Sequence, residues 1–210
     1  MYRPRGAYSA PVHTLRHADW LDAIKELPAS SVDLLYADPP FNTGRTHAGD
    51  AGAFEDRFAS TDAYVDWLRA RLVPTLPILT PAANLLIHCD WRTSHRVRLL
   101  LDDLLGEGAF VNHLVWTYGL GGSSPRRFAR KHDDILFYTR DPQAYFFDPP
   151  MVPATSNRMK GELKKSTDVI DIPAINYMAK ERTGWPTQKP LALLEMLVQA
   201  CCPEGGTVLV

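Results

Sequence analysis

The sequence predicts an α/β fold, on three observations. Short apolar runs such as "VDLLYA" and "NLLIHCD" end on or beside an acid, segments with apolar residues at helical spacing alternate with them, and the intervals carry Gly, Pro and charge. With 210 residues, 45% of them apolar, the chain has the size of one ordinary domain with a core of its own.

In chain order, residues 1–12 are polar and rich in Pro and Gly and are expected to form a flexible arm ahead of a domain over 13–210. "ADWLDAIKELPASS" places Trp20, Ile24 and Leu27 at i, i+4 and i+7, a short amphipathic helix stopped by Pro28. "VDLLYA" reads as a buried strand. A helix is expected from Thr61, as its capping residue, to about Leu72, with Tyr64, Trp67, Leu68 and Leu72 at helical spacing. "NLLIHCD" is a second strand, "TSHRVRLLLDDLL" a helix, and "HLVWTYG" and "DILFYT" are strands. In "TQKPLALLEMLVQACCPEGG", Pro190 opens a helix with Leu191, Leu194, Val198 and Cys201 on one face, and a Gly pair follows. "TVLV" then begins a strand.

A net charge of -1 and a pI near 6.6 give no global electrostatic case for a polyanionic or membrane partner, so such a partner must be met by a local patch. Two segments qualify. One, near 119–132, carries Arg126, Arg127, Arg130 and Lys131; the other, near 153–168, carries Arg158, Lys160, Lys164 and Lys165. They are either solvated loops or a phosphate-contacting surface. Cys89, Cys201 and Cys202 cannot all pair and form no CxxC, which suits reduced thiols in a cytoplasmic protein, and no metal site is legible. The N-terminus lacks a signal-peptide core, and no apolar run approaches the roughly 18 residues of a membrane span. A soluble protein without a membrane partner is expected.

The stretch "VDLLYADPPFNTG" carries the chemistry. In a parallel α/β sheet ligands bind beyond the carboxyl ends of the strands, which is where Asp38 falls. Pro39 and Pro40 fix φ at about -65° and remove both N–H donors, so the turn presents only acceptors. Phe41 adds a flat face for stacking on something planar. Acceptors beside a stacking face suit a base with an exocyclic amino group. That amine's lone pair is delocalised into the ring; accepting its hydrogens at Asp38 and at the Pro39 carbonyl localises the pair and aims it at an electrophile.

This string, with its surroundings, resembles the amino-methyltransferases of DNA, whose motif is [DNS]PP[YFW]. "FEDRF", "YVDWL", "LLIHCD", "LVWTYGLGG", "RRFARKHDDILFY" and "GWPTQKPLALLE" match further segments in the order of the β group. The resemblance implies a Rossmann-like methyltransferase fold and transfer of a methyl group from S-adenosylmethionine to adenine N6 in double-stranded DNA. Cytosine N4 is the alternative; Ser-Pro-Pro is commoner there, so Asp38 favours adenine. Cytosine C5 chemistry needs a Pro-Cys nucleophile, and this chain has Cys202-Pro203 in the reverse order. Glutamine methylation usually carries asparagine at the first position. Carried over by residue, the resemblance makes Asp38, Pro39, Pro40 and Phe41 the catalytic turn. Thr187, Gln188, Lys189 and Pro190 line the cofactor's methionine end together with Asp38, and Lys189 faces its carboxylate. Arg126, Arg127, Arg130, Lys131, Lys160, Lys164 and Lys165 face DNA.

In the family a glycine turn of the form FxGxG follows the strand that "TVLV" begins. That turn does not occur in these 210 residues, so the expected fold is partial, with the C-terminal cofactor half largely missing. A further segment or second chain is expected to supply it, the alternative being an inactive remnant that binds DNA.

Overall fold

The computed structural model describes residues 13–119, 123–154 and 156–210. The arm expected over 1–12 and the end of "GLGG" lie outside the described residues.

The elements follow the expected alternation. In chain order they are α1 (Trp20–Ala23), β1 (Val32–Ala37), β2 (Arg45–Gly49), β3 (Gly52–Asp56), α2 (Thr61–Thr75), β4 (Leu79–Cys89) and α3 (Ser94–Leu105). Then come β5 (Phe110–Thr117), β6 (His132–Thr139), β7 (Met151–Pro153), β8 (Leu163–Lys165), β9 (Val169–Asp171), α4 (Leu191–Cys201) and β10 (Val208–Leu209). The central sheet has the order β10-β1-β4-β6-β5-β9. β10, β1 and β4 are parallel, β6 runs antiparallel to both β4 and β5, and β9 is parallel to β5. β1 is therefore interior: Leu34 and Leu35 pair with Val208 and Leu209 on one side and with Asn84 and Leu85 on the other.

From Leu34 onward, alternation along β1 divides the core between the two faces of the sheet, and a register shift between Val32 and Leu34 puts Val32 on the face of Leu35. Val32 and Leu35 pack with Tyr64, Leu68 and Leu72 of α2 and Val97, Leu100 and Leu101 of α3. Leu34 and Tyr36 face the other way, onto Leu193, Leu197, Ala200 and Cys201 of α4 and onto Trp116 and Phe137. Truncating one of these fully buried leucines to Ala would cost about 2 to 5 kcal/mol.

Four expectations need correction. The first helix is α-helical only over Trp20–Ala23 and tightens into a 3-10 turn over Ile24–Glu26 before Pro28. The cap of α2 is Ser60, not Thr61: Ser60 is extended and its hydroxyl accepts from the Ala63 N–H at 3.0 Å, whereas Thr61 is already helical. α2 also passes Leu72 and Pro74 to Thr75, a buried residue that accepts from the Trp20 indole at 2.9 Å and donates to the Arg71 carbonyl at 2.7 Å. In α4 the buried stripe is Leu193, Leu197, Ala200 and Cys201, while Leu191 is 55% exposed. Both stripes have helical period; which one faces the sheet depends on how the chain enters from Pro190, and periodicity carries no information about that. The hairpins β2-β3 and β7-β8 form sheets of their own. No helix among the described residues is long and apolar enough to cross a membrane.

Candidate active site

β1 ends at Ala37, and the chain leaves the sheet through Asp38, Pro39, Pro40 and Phe41. β1 and β4 are parallel and β6 is antiparallel to β4, with Cys89 opposite Asp134. The carboxyl ends of β1 and β4 and the amino end of β6 thus share one edge, and Asp38, His88 and Asp133 meet there.

Asp38 is held by Lys189. The ammonium donates to both carboxylate oxygens, at 2.9 and 2.7 Å, and sits 5.2 Å from the centre of the Phe41 ring. The Lys189 side chain is only 9% exposed and that of Asp38 28%. So deep an ammonium needs this counter-charge. An ionised carboxylate offers about four lone-pair sites, so two remain open for another donor. The three residues expected at the centre of the chemistry are therefore together, but Lys189 has a protein partner of its own.

The turn is fixed from below by Asp56, which is 2% exposed. Its carboxylate accepts from the Asn42 N–H at 2.7 Å, the Thr43 N–H at 3.2 Å and the Thr43 hydroxyl at 2.6 Å. Asn42 takes φ of 58°, a left-handed conformation that Asn tolerates, and its side-chain oxygen accepts from the Phe58 N–H at 3.2 Å. The chain after Phe41 is thus wrapped around a buried carboxylate. Bonds to a charged acceptor are the strong kind.

The "TQKP" segment divides into structural and site-facing parts. Gln188 spends its amide inside its own loop: Oε1 accepts from the Thr183 N–H and hydroxyl at 2.7 and 2.9 Å, and Nε2 donates to the Glu181 carbonyl at 2.8 Å. Pro190 stands at the N-cap of α4 and offers no side-chain bond, and the Glu181 carboxylate accepts the Leu191 N–H at 3.1 Å instead. The Thr187 carbonyl accepts from Lys189 at 3.4 Å.

Hairpin β2-β3 braces this loop. Phe54 stacks between His47 and Trp185, with ring centres 5.2 and 5.8 Å apart and planes within 23° and 9°. A Cβ on Gly49 would lie 2.4 Å from the Gly184 carbonyl oxygen, so only glycine allows the approach. Beside Asp38 opens a cavity of about 390 Å³, lined among others by Tyr36, Glu181, Trp185, Thr187, Gln188 and Lys189.

His88, at the end of β4, is fully buried beneath the turn. Its Nδ1 is 2.8 Å from the Tyr36 hydroxyl and 3.9 Å from Asp38 Oδ1, and its Nε2 is 3.3 Å from Asp133 Oδ2. Phe41 and Trp116 wall its ring, at 5.4 and 5.7 Å between centres. Burial first, then the charges of Asp38 and Asp133, pushes the Tyr36 phenol well above its usual pKa.

The first basic segment joins β5 to β6 at the sheet edge that carries Asp38, and the second precedes β9. Arg126, Arg127 and Arg130 are exposed, and Arg130 stacks on the Trp91 ring at 3.2 Å with Arg92 on the same ring at 4.8 Å. Partial desolvation, then the charges of Arg127 and Arg92, lowers the pKa of Arg130. Lys131 donates to the Gly119 carbonyl at 3.3 Å. Lys164 and Lys165 lie on β8, and Lys160 is exposed in the preceding turn. Sequence reasoning missed Asp56, His88 and Trp185 as individual residues, although "FEDRF", "LLIHCD" and "GWPTQKP" contained them.

Similar curated proteins include the type II methyltransferase M.ScaI of Streptomyces caespitosus, 26% identical over 93% of this chain and 68% of that protein. M.HpaI of Haemophilus parainfluenzae is 29% identical over 90% of this chain and 60% of its own length. The DNA adenine methyltransferase YhdJ of Escherichia coli strain K12 is 27% identical over 93% and 69%. The chain thus spans between 60% and 69% of the length of these relatives. Among solved structures, the cytosine-N4-specific PvuII DNA methyltransferase shares the fold with a TM-score of 0.62 at 12% identity, over 91% of this chain and 71% of that one. A complex of M1.HpyAVI with SAM shares it with a TM-score of 0.52 at 21% identity, over 92% and 79%. The sequence model of the N6/N4 methyltransferases, described as DNA methylase, matches residues 32–209, so the chain belongs to that family.

Proposed function

We propose that this chain carries the catalytic turn of a DNA methyltransferase that methylates the exocyclic N6 of adenine, with S-adenosylmethionine as methyl donor. One observation carries the proposal: Asp38, fixed at the end of an interior strand and paired with Lys189, borders both the Phe41 ring and a cavity of about 390 Å³. That volume lies within the range of roughly 300 to 1,000 Å³ typical of small-molecule sites. Its lining suits the donor's chemistry, with Trp185 as an aromatic wall and Glu181 and Lys189 as charges of opposite sign. Bound there, S-adenosylmethionine supplies an electrophilic methyl carbon.

The chain's own residues orient the nucleophile. The open lone pairs of Asp38 and the Pro39 carbonyl accept the two amine hydrogens, and Phe41 stacks on the base. The base must leave the duplex to reach this turn, which costs a few kcal/mol of unstacking. Lys189 keeps Asp38 in place, and Thr187, Gln188 and Pro190 shape the donor's side of the cavity. Arg126, Arg127, Arg130, Lys131, Lys160, Lys164 and Lys165 contact phosphates of double-stranded DNA, a role consistent with their clustering in a chain of net charge -1.

The test, run with the further segment or second chain expected to supply the glycine turn, is transfer of a radiolabelled methyl group to duplex DNA, followed by digestion and mass analysis. N6-methyladenine is the expected product. N4-methylcytosine would move the substrate to the alternative base, and absence of label would overturn the activity.

A further inference from the structure

We propose that His88 and Asp133, with Tyr36 as the positioning residue that holds the His88 tautomer, form a relay that removes the proton released at Asp38 during methylation, a proposal that rests on the methyltransferase function above. When the amine lone pair forms the new N–C bond, the methyl–sulfur bond of the donor would break with its electron pair staying on sulfur, and the nitrogen, still carrying both hydrogens, would become positively charged. One N–H bond must then break, its electron pair staying on nitrogen, and the proton passes to an Asp38 oxygen. It cannot rest there at low cost. A protonated Asp38 would deprive Lys189, 9% exposed, of its counter-charge.

A base stands within reach. His88 Nδ1 is 3.9 Å from Asp38 Oδ1, in a fully buried ring between Phe41 and Trp116. Strand register puts the three residues on one face. Tyr36 is opposite Leu86, two residues before His88 on β4, and His88 is opposite Ile135, two residues after Asp133 on β6. One neutral tautomer satisfies every group. An ionised Asp133 only accepts, so His88 must donate from Nε2 across 3.3 Å; Nδ1 then accepts from the Tyr36 hydroxyl at 2.8 Å. Asp133 also accepts from the Tyr118 hydroxyl at 3.0 Å. Asp134, next along β6, is engaged by His113 at 2.8 Å and stands outside the relay.

As the Tyr36 hydroxyl rotates away, the proton on Asp38 moves to Nδ1: one O–H bond breaks, one N–H forms, and Asp38 regains its charge and its pair with Lys189. The imidazolium is flanked by Asp38 and Asp133. Its Nε2 proton then leaves to solvent through Asp133, whose side chain is 15% exposed, which leaves the opposite neutral tautomer, Nδ1–H, and one proton lost per methyl transferred; the resting Nε2–H tautomer returns when Nε2 takes a proton back through Asp133 and Nδ1 releases its own through Asp38 to solvent.

Two measurements test the relay. Long-range ¹H–¹⁵N NMR of the full chain without ligands should find His88 as the Nε2–H tautomer; an Nδ1–H tautomer would overturn the wiring whether or not the protein methylates DNA. In single-turnover assays, His88→Gln should slow transfer about a hundredfold, as for loss of a general base. Tyr36→Phe, which removes one hydroxyl and keeps the ring, should slow it by a smaller factor. DNA and sinefungin binding should stay within twofold for both variants. If His88→Gln does not fold, Tyr36→Phe decides. Rates unchanged from the parent, or losses matched by weaker binding, would overturn the proposal. A parent protein with no transfer but the expected tautomer would instead count against the methyltransferase function.

Discussion

The turn at Asp38 and the arginine loop at 123–131 both follow strands of the same sheet, yet they are built in opposite ways. Asp38 is bound at both oxygens by Lys189, and the residues after Phe41 are clamped by the buried Asp56. Arg126 and Arg127 stand in solvent beside an almost fully exposed Phe128, and Arg130 rests on an indole within reach of the charges of Arg127, Arg92 and Asp90. Chemistry on one nitrogen needs an acceptor fixed in advance, because any reorganisation raises the barrier. A polyanion presents the same charge every few ångströms, so mobile cations serve it, at the cost of screening by salt.

Substitutions at the two regions should therefore differ in kind. The largest effect is expected at Asp38. Asp38→Ala should abolish transfer with little change in DNA binding. Asp38→Asn keeps an acceptor but loses the charge opposite the developing ammonium, and should slow transfer by on the order of 10² to 10³. A rate equal to the parent, measured in single turnover, would remove the distinction between the two regions.

Asp56 comes next. Replacing it by Ala leaves two N–H groups and one hydroxyl of the turn without their acceptor, at about 1 to 3 kcal/mol for each group left buried and unpaired. Urea unfolding should show a loss of at least about 2 kcal/mol. A loss within experimental error would mean that the turn does not depend on its clamp.

Phe41→Ala should cost roughly 1 to 3 kcal/mol of base stacking, while Phe41→Tyr keeps the face and should be nearly silent. The fluorescence of an adenine analogue at the target position reads this directly. Identical signals from the parent and the Ala variant would put the base elsewhere.

The smallest effect on chemistry is expected from neutralising Arg126, Arg127 and Arg130 together. The salt dependence of DNA binding should become shallower by about one unit or less for each phosphate no longer neutralised. The single-turnover rate at saturating DNA should hardly change. An unaltered salt slope would return these arginines to ordinary surface charge.

Local signals made much of this protein legible. Apolar runs marked β1, β4, β5 and β6, helical spacing marked α2, α3 and α4, and "DPPF" and "TQKP" marked two segments that meet at the site. The sequence by itself determined the order of the four helices with β1, β4, β5, β6 and β10, though not the hairpins or β9, and the acceptor-only character of the turn, because propensity, periodicity and proline geometry act over a few residues.

Tertiary structure alone decided which distant groups meet. Lys189 reaches Asp38 across 151 positions, because α4 packs on the face of β1 that carries Leu34 and Tyr36. His88 lies between Tyr36 and Asp133 only because β4 sits between β1 and β6 in this register. A slip of one residue in either pairing would turn these side chains to the opposite face of the sheet. The choice of buried stripe in α4 and the closure of the chain around Asp56 are of the same kind. Each depends on contacts between elements, and those are set by the packing of the whole core.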